Sequence, residues 1–257
     1  MANNQSDMLK QILVIMATIG TLTVNWLAGI GKIGNVLPKE ISDKYYTSVT
    51  PAGYAFSIWG LIYLGLIAFS VYQALPSKAE RFRNLRSIYI LSCVANCAWI
   101  YLFHFEMITA SLGVIFVLLL LLAFINLSAR NSESTAETLL VSTPFALYFG
   151  WVTAATIVNA TITLVFLGVK TSETTTTVLA CVLITIAAIF AAVFRQILSN
   201  SAYPLAVAWA LTAIGVAQSG KTAIVIFAAF GTIACLLAAL SFVLKDKKSL
   251  KATNIIA

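Results

Sequence analysis

The chain alternates long apolar stretches with short polar connections. Most stretches are near the roughly 20 residues that one helical crossing of a bilayer needs, and the seventh is shorter. A membrane β-barrel would instead show segments of about ten residues with strict alternation, whereas Val114 to Phe124 is continuously apolar. The pattern therefore predicts an all-α fold, a polytopic membrane helical bundle with eight transmembrane helices. The predicted spans are Ile12–Ile30, Tyr54–Ala74, Ile88–Phe105, Ile108–Leu127, Leu139–Phe166, Val178–Leu198, Tyr203–Ala217 and Ala223–Leu244.

Composition agrees with this pattern. Hydrophobic residues make up 60% of the chain and charged residues 10%, and the mean hydropathy is +0.95, which lies outside the range of soluble proteins. The first stretch is longer than the 7 to 15 or so apolar residues of a secretory signal. We therefore expect a retained first helix and one bundle without a soluble insertion.

Basic residues are unevenly distributed between the two predicted sides of the membrane. Of the 16 lysines and arginines, eleven fall on the side of both termini and five on the other. The positive-inside rule then predicts a multi-pass protein of the plasma (inner) membrane with both termini in the cytoplasm. The bases lie at span ends rather than on one face, so the net charge of +7 does not indicate a nucleic-acid partner. Part of the excess lies in the tail, at Lys245, Lys247, Lys248 and Lys251.

Residues that could support catalysis or metal binding are sparse. Cys93 and Cys97 are one helical turn apart, but no histidine or carboxylate recurs on that turn to complete a metal site, and small buried thiols are the expected role of all four cysteines. His104 and Glu106 could form a proton-titrating pair, or be an interfacial histidine and a turn carboxylate, and the second is favoured. No Ser/His/Asp set, HExxH or phosphate loop is present, so we expect no enzyme activity, no cofactor and no metal.

Asparagines within the apolar stretches are the best indication of function. A carboxamide inside a membrane helix is unfavourable unless it has a partner or faces a cavity. Three spans carry an asparagine close to a tryptophan ring, which indicates an internal pocket. The pairs are Asn25 with Trp26, Asn96 with Trp99, and Asn159 with Trp151.

The connection from Gly31 to Pro51 is long and polar and carries Tyr45 and Tyr46. Loops of this length in compact proteins are often functional, so it is either a lid over the pocket or a solvated linker. In the span that follows, the aromatic residues Phe56, Trp59 and Tyr63 recur on one face at helical spacing. At that spacing they indicate either helix packing, an interfacial belt or a pocket wall.

Three motifs in register resemble the translocator protein family, also called tryptophan-rich sensory proteins or TspO/MBR. The family's marks are a proline-led loop exit into a helix with Trp-x-x-x-Tyr, an Asn-x-x-Trp-x-x-x-Phe helix, and a Tyr-x-x-Trp-x-x-x-Ala-x-x-x-Asn helix. The matching residues are Pro51 with Trp59 and Tyr63; Asn96, Trp99 and Phe103; and Tyr148, Trp151, Ala155 and Asn159.

The resemblance covers about residues 10–165 and implies a five-helix unit with a pocket capped by the first loop. It also implies a flat hydrophobic ligand of the porphyrin or sterol class, and often a homodimer. Rings would supply stacking area, and carboxamides would orient a polar edge. The candidate ligand-binding residues are Asn25, Trp26, Tyr46, Pro51, Phe56, Trp59, Tyr63, Asn96, Trp99, Phe103, Tyr148, Trp151, Ala155 and Asn159.

The chain departs from the family's pattern in several places. Ser57 and Leu147 stand where the family often has proline, and the first loop has no tryptophan, so a tryptophan-dependent reaction on a tetrapyrrole is not expected. We expect a TspO/MBR-like unit over residues 1–168, and three further transmembrane helices with a basic tail over residues 169–257. Alanines one turn apart, such as Ala187 and Ala191, indicate that these helices pack closely on the bundle or on another subunit.

Three functions remain open. The leading one is a non-enzymatic membrane receptor or carrier for a planar hydrophobic ligand held between spans one, two, three and five. The second is a secondary transporter of a small hydrophobic metabolite that uses the additional helices, although the chain lacks the internal repeat typical of transporters. The third is a structural subunit of a membrane complex.

Overall fold

The computed structural model describes the backbone of residues 2–253 and the side chains of residues 7–241. Every regular element of the described chain is a helix, as predicted. Ten α-helices follow one another: α1 (Ala2–Gly29), α2 (Pro38–Lys44), α3 (Ile58–Tyr72), α4 (Arg83–His104), α5 (Ile108–Ala129), α6 (Thr135–Glu137), α7 (Thr143–Phe166), α8 (Glu173–Leu198), α9 (Ala202–Ala217) and α10 (Thr222–Thr253).

Seven stretches of the described chain are helical, long and apolar enough to cross a membrane. They agree with seven of the eight predicted spans, and the chain is an integral, multi-pass membrane protein. The remaining predicted span corresponds to α9, which is apolar but has only 16 residues. At about 1.5 Å per residue it covers roughly 24 Å, less than the roughly 30 Å of a bilayer core.

Ion pairs join several helix ends at one end of the bundle. The Arg83 guanidinium lies 2.6 Å from Asp7 near the start of α1, and that of Arg81 lies 2.6 Å from Glu137 between α5 and α7. The opposite end holds α2 and the turn at Glu106, whose carboxylate lies 2.6 Å from Lys44. The tail lysines that enter the predicted orientation lie outside the residues whose side chains are described.

Several observed helices extend beyond the predicted spans, and the extension of α4 adds a charged residue to the bundle interior. This helix begins at Arg83, five residues before the predicted span, and thereby includes Arg86. Arg86 is fully buried because Gln73 accepts a hydrogen bond from its Nε at 2.8 Å and Asp7 lies 3.7 Å away. A residue that the sequence places in a connection is therefore part of the bundle interior.

Helix α9 is inserted among α7, α8 and α10 and is buried along much of its length. Its contact with α7 depends on Gly150, where a Cβ atom would lie 2.5 Å from the Tyr203 carbonyl oxygen. The other end of α9 holds the entry to α3, because the Ala213 carbonyl accepts a 2.9 Å bond from Ala52 N–H. Trp209 donates a 3.0 Å bond to the Ala55 carbonyl. These contacts bring α9 to the wall of the central cavity.

Candidate functional site

A cavity of about 460 Å³ lies within the bundle, between α1, α3, α4 and α7. These helices correspond to predicted spans one, two, three and five. The wall is completed by Ala210 and Ile214 of α9, by α2, which covers one end, and by the segment just before α3, which includes Pro51 and Phe56. Eleven of the fourteen predicted site residues line this cavity. They are Asn25, Trp26, Pro51, Phe56, Trp59, Tyr63, Trp99, Phe103, Trp151, Ala155 and Asn159.

Aromatic rings form most of the flat surface of the wall, with Trp59 at their centre. Its ring stacks on Tyr63, with centroids 5.5 Å apart and planes at 21°, and on Trp99 at 6.4 Å and 30°. Trp151 approaches it edge-on at 6.3 Å and 84°, and Phe56 approaches Trp151 at 6.1 Å. Stacked and edge-to-face pairs are the favoured arrangements of aromatic side chains. The cluster therefore presents both ring faces and ring edges to the cavity.

The first two asparagine–tryptophan motifs are joined directly by their amides. Asn25 Nδ2 donates to Asn96 Oδ1 at 2.6 Å, and Asn96 Nδ2 donates to the Tyr148 hydroxyl at 2.8 Å. Asn96 and Tyr148 are buried behind the wall and do not line the cavity, contrary to expectation. Their polar groups are satisfied by each other, because a buried amide needs a partner. They therefore position Asn25, which does line the cavity.

The third motif places its asparagine in the wall. Asn159 Nδ2 donates to Ser111 Oγ at 3.1 Å, which links α7 to α5. Ala155, one turn earlier, lies on the same wall, and its small side chain leaves space in front of the rings.

Tyr46 does not line the central cavity. Its hydroxyl accepts a 2.8 Å bond from Gln218 Nε2 and lies 3.3 Å from the Ala217 carbonyl oxygen. Tyr46 instead lines a separate cavity of about 230 Å³ together with Lys221. The end of α9 draws the tyrosine away, which the sequence could not indicate because the two segments are 171 residues apart.

The connection after α1 folds over one end of the cavity, as the lid interpretation requires. Lys44 at the end of α2 pairs with Glu106, and Tyr45 also donates a hydrogen bond to that carboxylate. The hydrogen bond from Lys44 and then that from Tyr45 hold the pKa of Glu106 below its ordinary value. His104 is buried, with Nδ1 2.7 Å from the Ile100 carbonyl oxygen, so His104 and Glu106 do not form a pair. Glu106 serves as the anchor of the lid.

The side of α1 that faces the bundle is polar, a feature that the sequence reading missed. Asp7, Thr18, Thr21 and Asn25 are buried there, and Gln11 is partly buried. The opposite side exposes large apolar side chains. Together with the buried Val14, these positions follow one another at alternating steps of three and four residues, which places them on one helix face. That spacing is visible in the sequence and could have identified the face.

Hydrogen bonds connect this polar face to α3 and α4. The Thr18 hydroxyl lies 2.5 Å from Ser70 Oγ and 2.6 Å from the Tyr89 hydroxyl. Further along, Gln73 accepts from Arg86, which lies beside Asp7. Polar groups therefore extend from Asn25 in the cavity wall to the cluster at the other end of α1.

Metal-binding groups do not cluster anywhere in the described chain: no three His, Cys, Asp or Glu side chains lie close enough together to hold an ion. The cysteines are free thiols. Cys93, Cys181 and Cys235 are buried and Cys97 is half-buried, which agrees with their predicted role.

Two polar residues of the wall had no signal in the sequence reading. Lys39 and Ser42 belong to α2, a helix of seven residues in a polar connection, where no hydrophobic periodicity predicts a helix. Their place in the wall becomes evident only when α2 is seen to cover the cavity.

Comparison with known proteins gives one match. A family model described as TSPO-like protein matches residues 11–242. The match extends past the motif region and includes α8, α9 and most of α10. No curated protein and no solved structure matches the chain.

Proposed function

Because the chain belongs to the TSPO-like protein family, we propose that it is a non-enzymatic membrane receptor or carrier for a planar hydrophobic ligand of the porphyrin or sterol class. The ligand occupies the cavity between α1, α3, α4, α7 and α9. The division of the chain into two units at residue 168 stays a prediction. One bundle is favoured because the family match extends across residue 168 and α9 packs on α7.

The aromatic wall of the cavity is the observation that carries this proposal. Four of the five tryptophans of the chain line one cavity. Its volume of about 460 Å³ falls within the range of roughly 300–1,000 Å³ that is typical of small-molecule sites. Rings of this size give a flat ligand a large contact area at little cost in side-chain entropy.

The approach to the cavity also suits a hydrophobic ligand. Trp26 belongs to the cavity wall and is 61% exposed on the outer surface of the bundle. Tryptophan is common at such boundaries because its ring has an apolar body and a polar edge. A ligand dissolved in the bilayer would reach the cavity past this residue.

Equilibrium binding to the purified protein in lipid nanodiscs tests the proposal. We expect protoporphyrin IX or cholesterol to bind, and affinity to fall about tenfold or more after Trp151→Ala, which removes a ring of the wall. Asn96→Ala removes the partner of Asn25 and is expected to weaken binding less. The matched control is Trp209→Ala, the same truncation at a tryptophan outside the cavity. Unchanged affinity in both site variants would reject this site.

A secondary transporter is the second candidate, and the polar face of α1 favours it. Intramembrane polar residues often mark the path of a substrate or ion, and this face leads from the cavity wall to Asp7 and Arg86. A protein that only binds its ligand would not need such a path. Uptake of protoporphyrin IX into proteoliposomes, driven by a proton or sodium gradient and reduced by Thr18→Val, would favour transport. Binding without gradient-driven uptake would leave the receptor as the function.

A further inference from the structure

A second cavity, of about 230 Å³, lies at the end of the bundle that the lid covers. The lid connection contributes residues 46–49 to its wall, and the rest comes from the C-terminal end of α7, the N-terminal end of α8 and the α9–α10 turn. None of the described residues that line it also lines the central cavity. The two cavities are therefore separate sites.

Lys221 supplies the charge of this second cavity. Among the described residues of the wall it is the only charged one. An ammonium has three N–H donors, and that of Lys221 makes one hydrogen bond in the described chain, 3.3 Å to Ser48 Oγ. The Glu173 carboxylate lies 4.0 Å away on a side chain that is 82% exposed, so water screens this pair. The ammonium therefore has donors available for a ligand in the cavity.

The apolar part of the wall continues onto the outer surface of the bundle. Leu164 and Val165 in the last turn of α7 and Leu179 in the second turn of α8 line the cavity and remain exposed. Because α7 and α8 are apolar enough to cross a membrane, exposed side chains near their ends lie where the lipid chains meet the headgroups. The cavity therefore places its cation at the polar boundary of the bilayer.

The size and charge of the cavity restrict what it can hold. Sites that enclose a drug-sized molecule have volumes of roughly 300–1,000 Å³, whereas this cavity has about 230 Å³. The space suits the polar head of an amphiphile whose chain lies outside. Lys221 disfavours a cationic head, and no aspartate or glutamate lines the described wall to attract one. An anionic head is complementary to this wall.

The same cavity adjoins a second attachment point of the lid. Besides the contact between Lys44 and Glu106, the lid is held by Gln218, whose Nε2 donates to the Tyr46 hydroxyl at 2.8 Å and to the Thr47 carbonyl at 3.0 Å. Gln218 is buried at the end of α9. A ligand in the cavity would contact this attached segment on one side and α8 on the other.

From this geometry we propose that the second cavity binds the anionic head of an amphiphilic lipid, and that the bound head holds the lid connection to the bundle. The phosphate or carboxylate accepts hydrogen bonds from the Lys221 ammonium, with the exposed Thr171 hydroxyl as a second donor of the wall. The chain lies along Leu164 and Leu179. The site is complete only while residues 46–49 are docked, so an occupant favours the docked lid. This proposal does not depend on what the central cavity binds.

Two lipids with identical chains test the site. Native mass spectrometry of the delipidated full-length protein in detergent gives the dissociation constants of dioleoylphosphatidylglycerol, which is anionic, and dioleoylphosphatidylcholine, whose choline group opposes Lys221. We expect the anionic lipid to bind about tenfold more tightly, because charge-assisted hydrogen bonds are among the strongest. Oleate, measured in parallel, shows whether a free carboxylate with the same chain is also accepted.

Two substitutions are expected to move the lipid preference in opposite directions. Lys221→Met should bring the ratio of the two affinities close to one. Glu173→Gln should increase the ratio severalfold, because it removes the carboxylate nearest to Lys221. Lys170→Met is the matched control, since it removes the same charge from the same end of the bundle at a residue outside the cavity wall. A folding defect cannot produce opposite changes in Lys221→Met and Glu173→Gln.

Hydrogen–deuterium exchange tests the effect on the lid. In nanodiscs, replacing part of the phosphatidylcholine by phosphatidylglycerol should slow amide exchange of residues 46–50 severalfold in the unmodified protein and not in Lys221→Met. If exchange of this segment is the same in both membranes, the effect of the site on the lid is overturned.

The binding outcomes decide the site itself. If the two phospholipids bind equally, or if Lys170→Met lowers the ratio as much as Lys221→Met, the site is overturned and diffuse surface charge explains any lipid preference. If oleate binds in a Lys221-dependent manner and phosphatidylglycerol does not, the site stands and its occupant is a free fatty acid. No porphyrin enters these measurements, so their failure would leave the proposed function of the central cavity standing.

Discussion

Replacing Trp59 by alanine is expected to weaken ligand binding more than any other single ring removal. Trp59 stacks on Tyr63 and Trp99 and meets Trp151 edge-on, so its ring sets the positions of its neighbours. Each aromatic contact contributes about 0.5–1.5 kcal/mol beyond the area it covers. The ligand loses one stacking surface and the neighbouring rings become less ordered, and together these changes are expected to weaken the binding free energy by about 2 kcal/mol. That is roughly a 30-fold loss of affinity.

Equilibrium dialysis of mesoporphyrin IX against the protein in nanodiscs measures this loss without relying on tryptophan fluorescence. Trp59→Phe keeps a ring at the position and is expected to retain most of the affinity. Trp209→Ala is the matched truncation outside the cavity, where the ring packs on Tyr54 at 5.2 Å. If Trp59→Ala binds as tightly as the unmodified protein while its helical circular dichroism is intact, the aromatic wall is not the binding surface.

Three further predictions concern the groups around the cavity. Tyr148→Phe leaves a buried N–H of Asn96 without its acceptor, and thermal unfolding is expected to show a loss of about 1–3 kcal/mol; an unchanged melting temperature would contradict the network. Asp7→Asn removes the charge beside the fully buried Arg86, and we expect the melting temperature in detergent to fall by several degrees, whereas a rise would show that the pair is not stabilising. The pKa of Glu106 is held below its ordinary value, so the lid contact is complete above that ordinary value and is lost as the pH falls through the lowered one, in the range below about pH 4. Cleavage within residues 31–51 by an acid-stable protease should therefore become faster as the pH falls into this range. Glu106→Gln should be cleaved rapidly both above and within the range. If cleavage of the unmodified protein does not depend on pH, Glu106 is not the anchor of the lid.

The sequence was sufficient for the helices and for the tryptophans and asparagines of the cavity wall. Asn25 and Asn96 were predicted from the unfavourable burial of an amide, and the structure pairs them at 2.6 Å. Long apolar stretches fix the helices because each must satisfy its own backbone in a bilayer. The same logic identified Asn159, whose partner Ser111 lies on a neighbouring helix.

The remaining features depend on contacts between distant segments. Arg86 is charged and adjoins a polar connection, so composition assigns it to the surface, while its burial depends on Asp7 and Gln73. Lys39 lies in a short helix without hydrophobic periodicity, and its place in the wall follows from how α2 folds over the bundle. Ala210 reaches the cavity because α9 packs on α7. No local pattern encodes these long-range contacts.

The central claim is that a planar ligand occupies the cavity around Trp59, Trp99 and Trp151. A crystal structure of the protein with zinc mesoporphyrin tests it most directly, because anomalous scattering locates the zinc atom independently of any fitted ligand. The account predicts one peak inside the cavity, within contact distance of these three rings. A peak on the lipid-facing surface of the bundle, with the cavity empty, would contradict it.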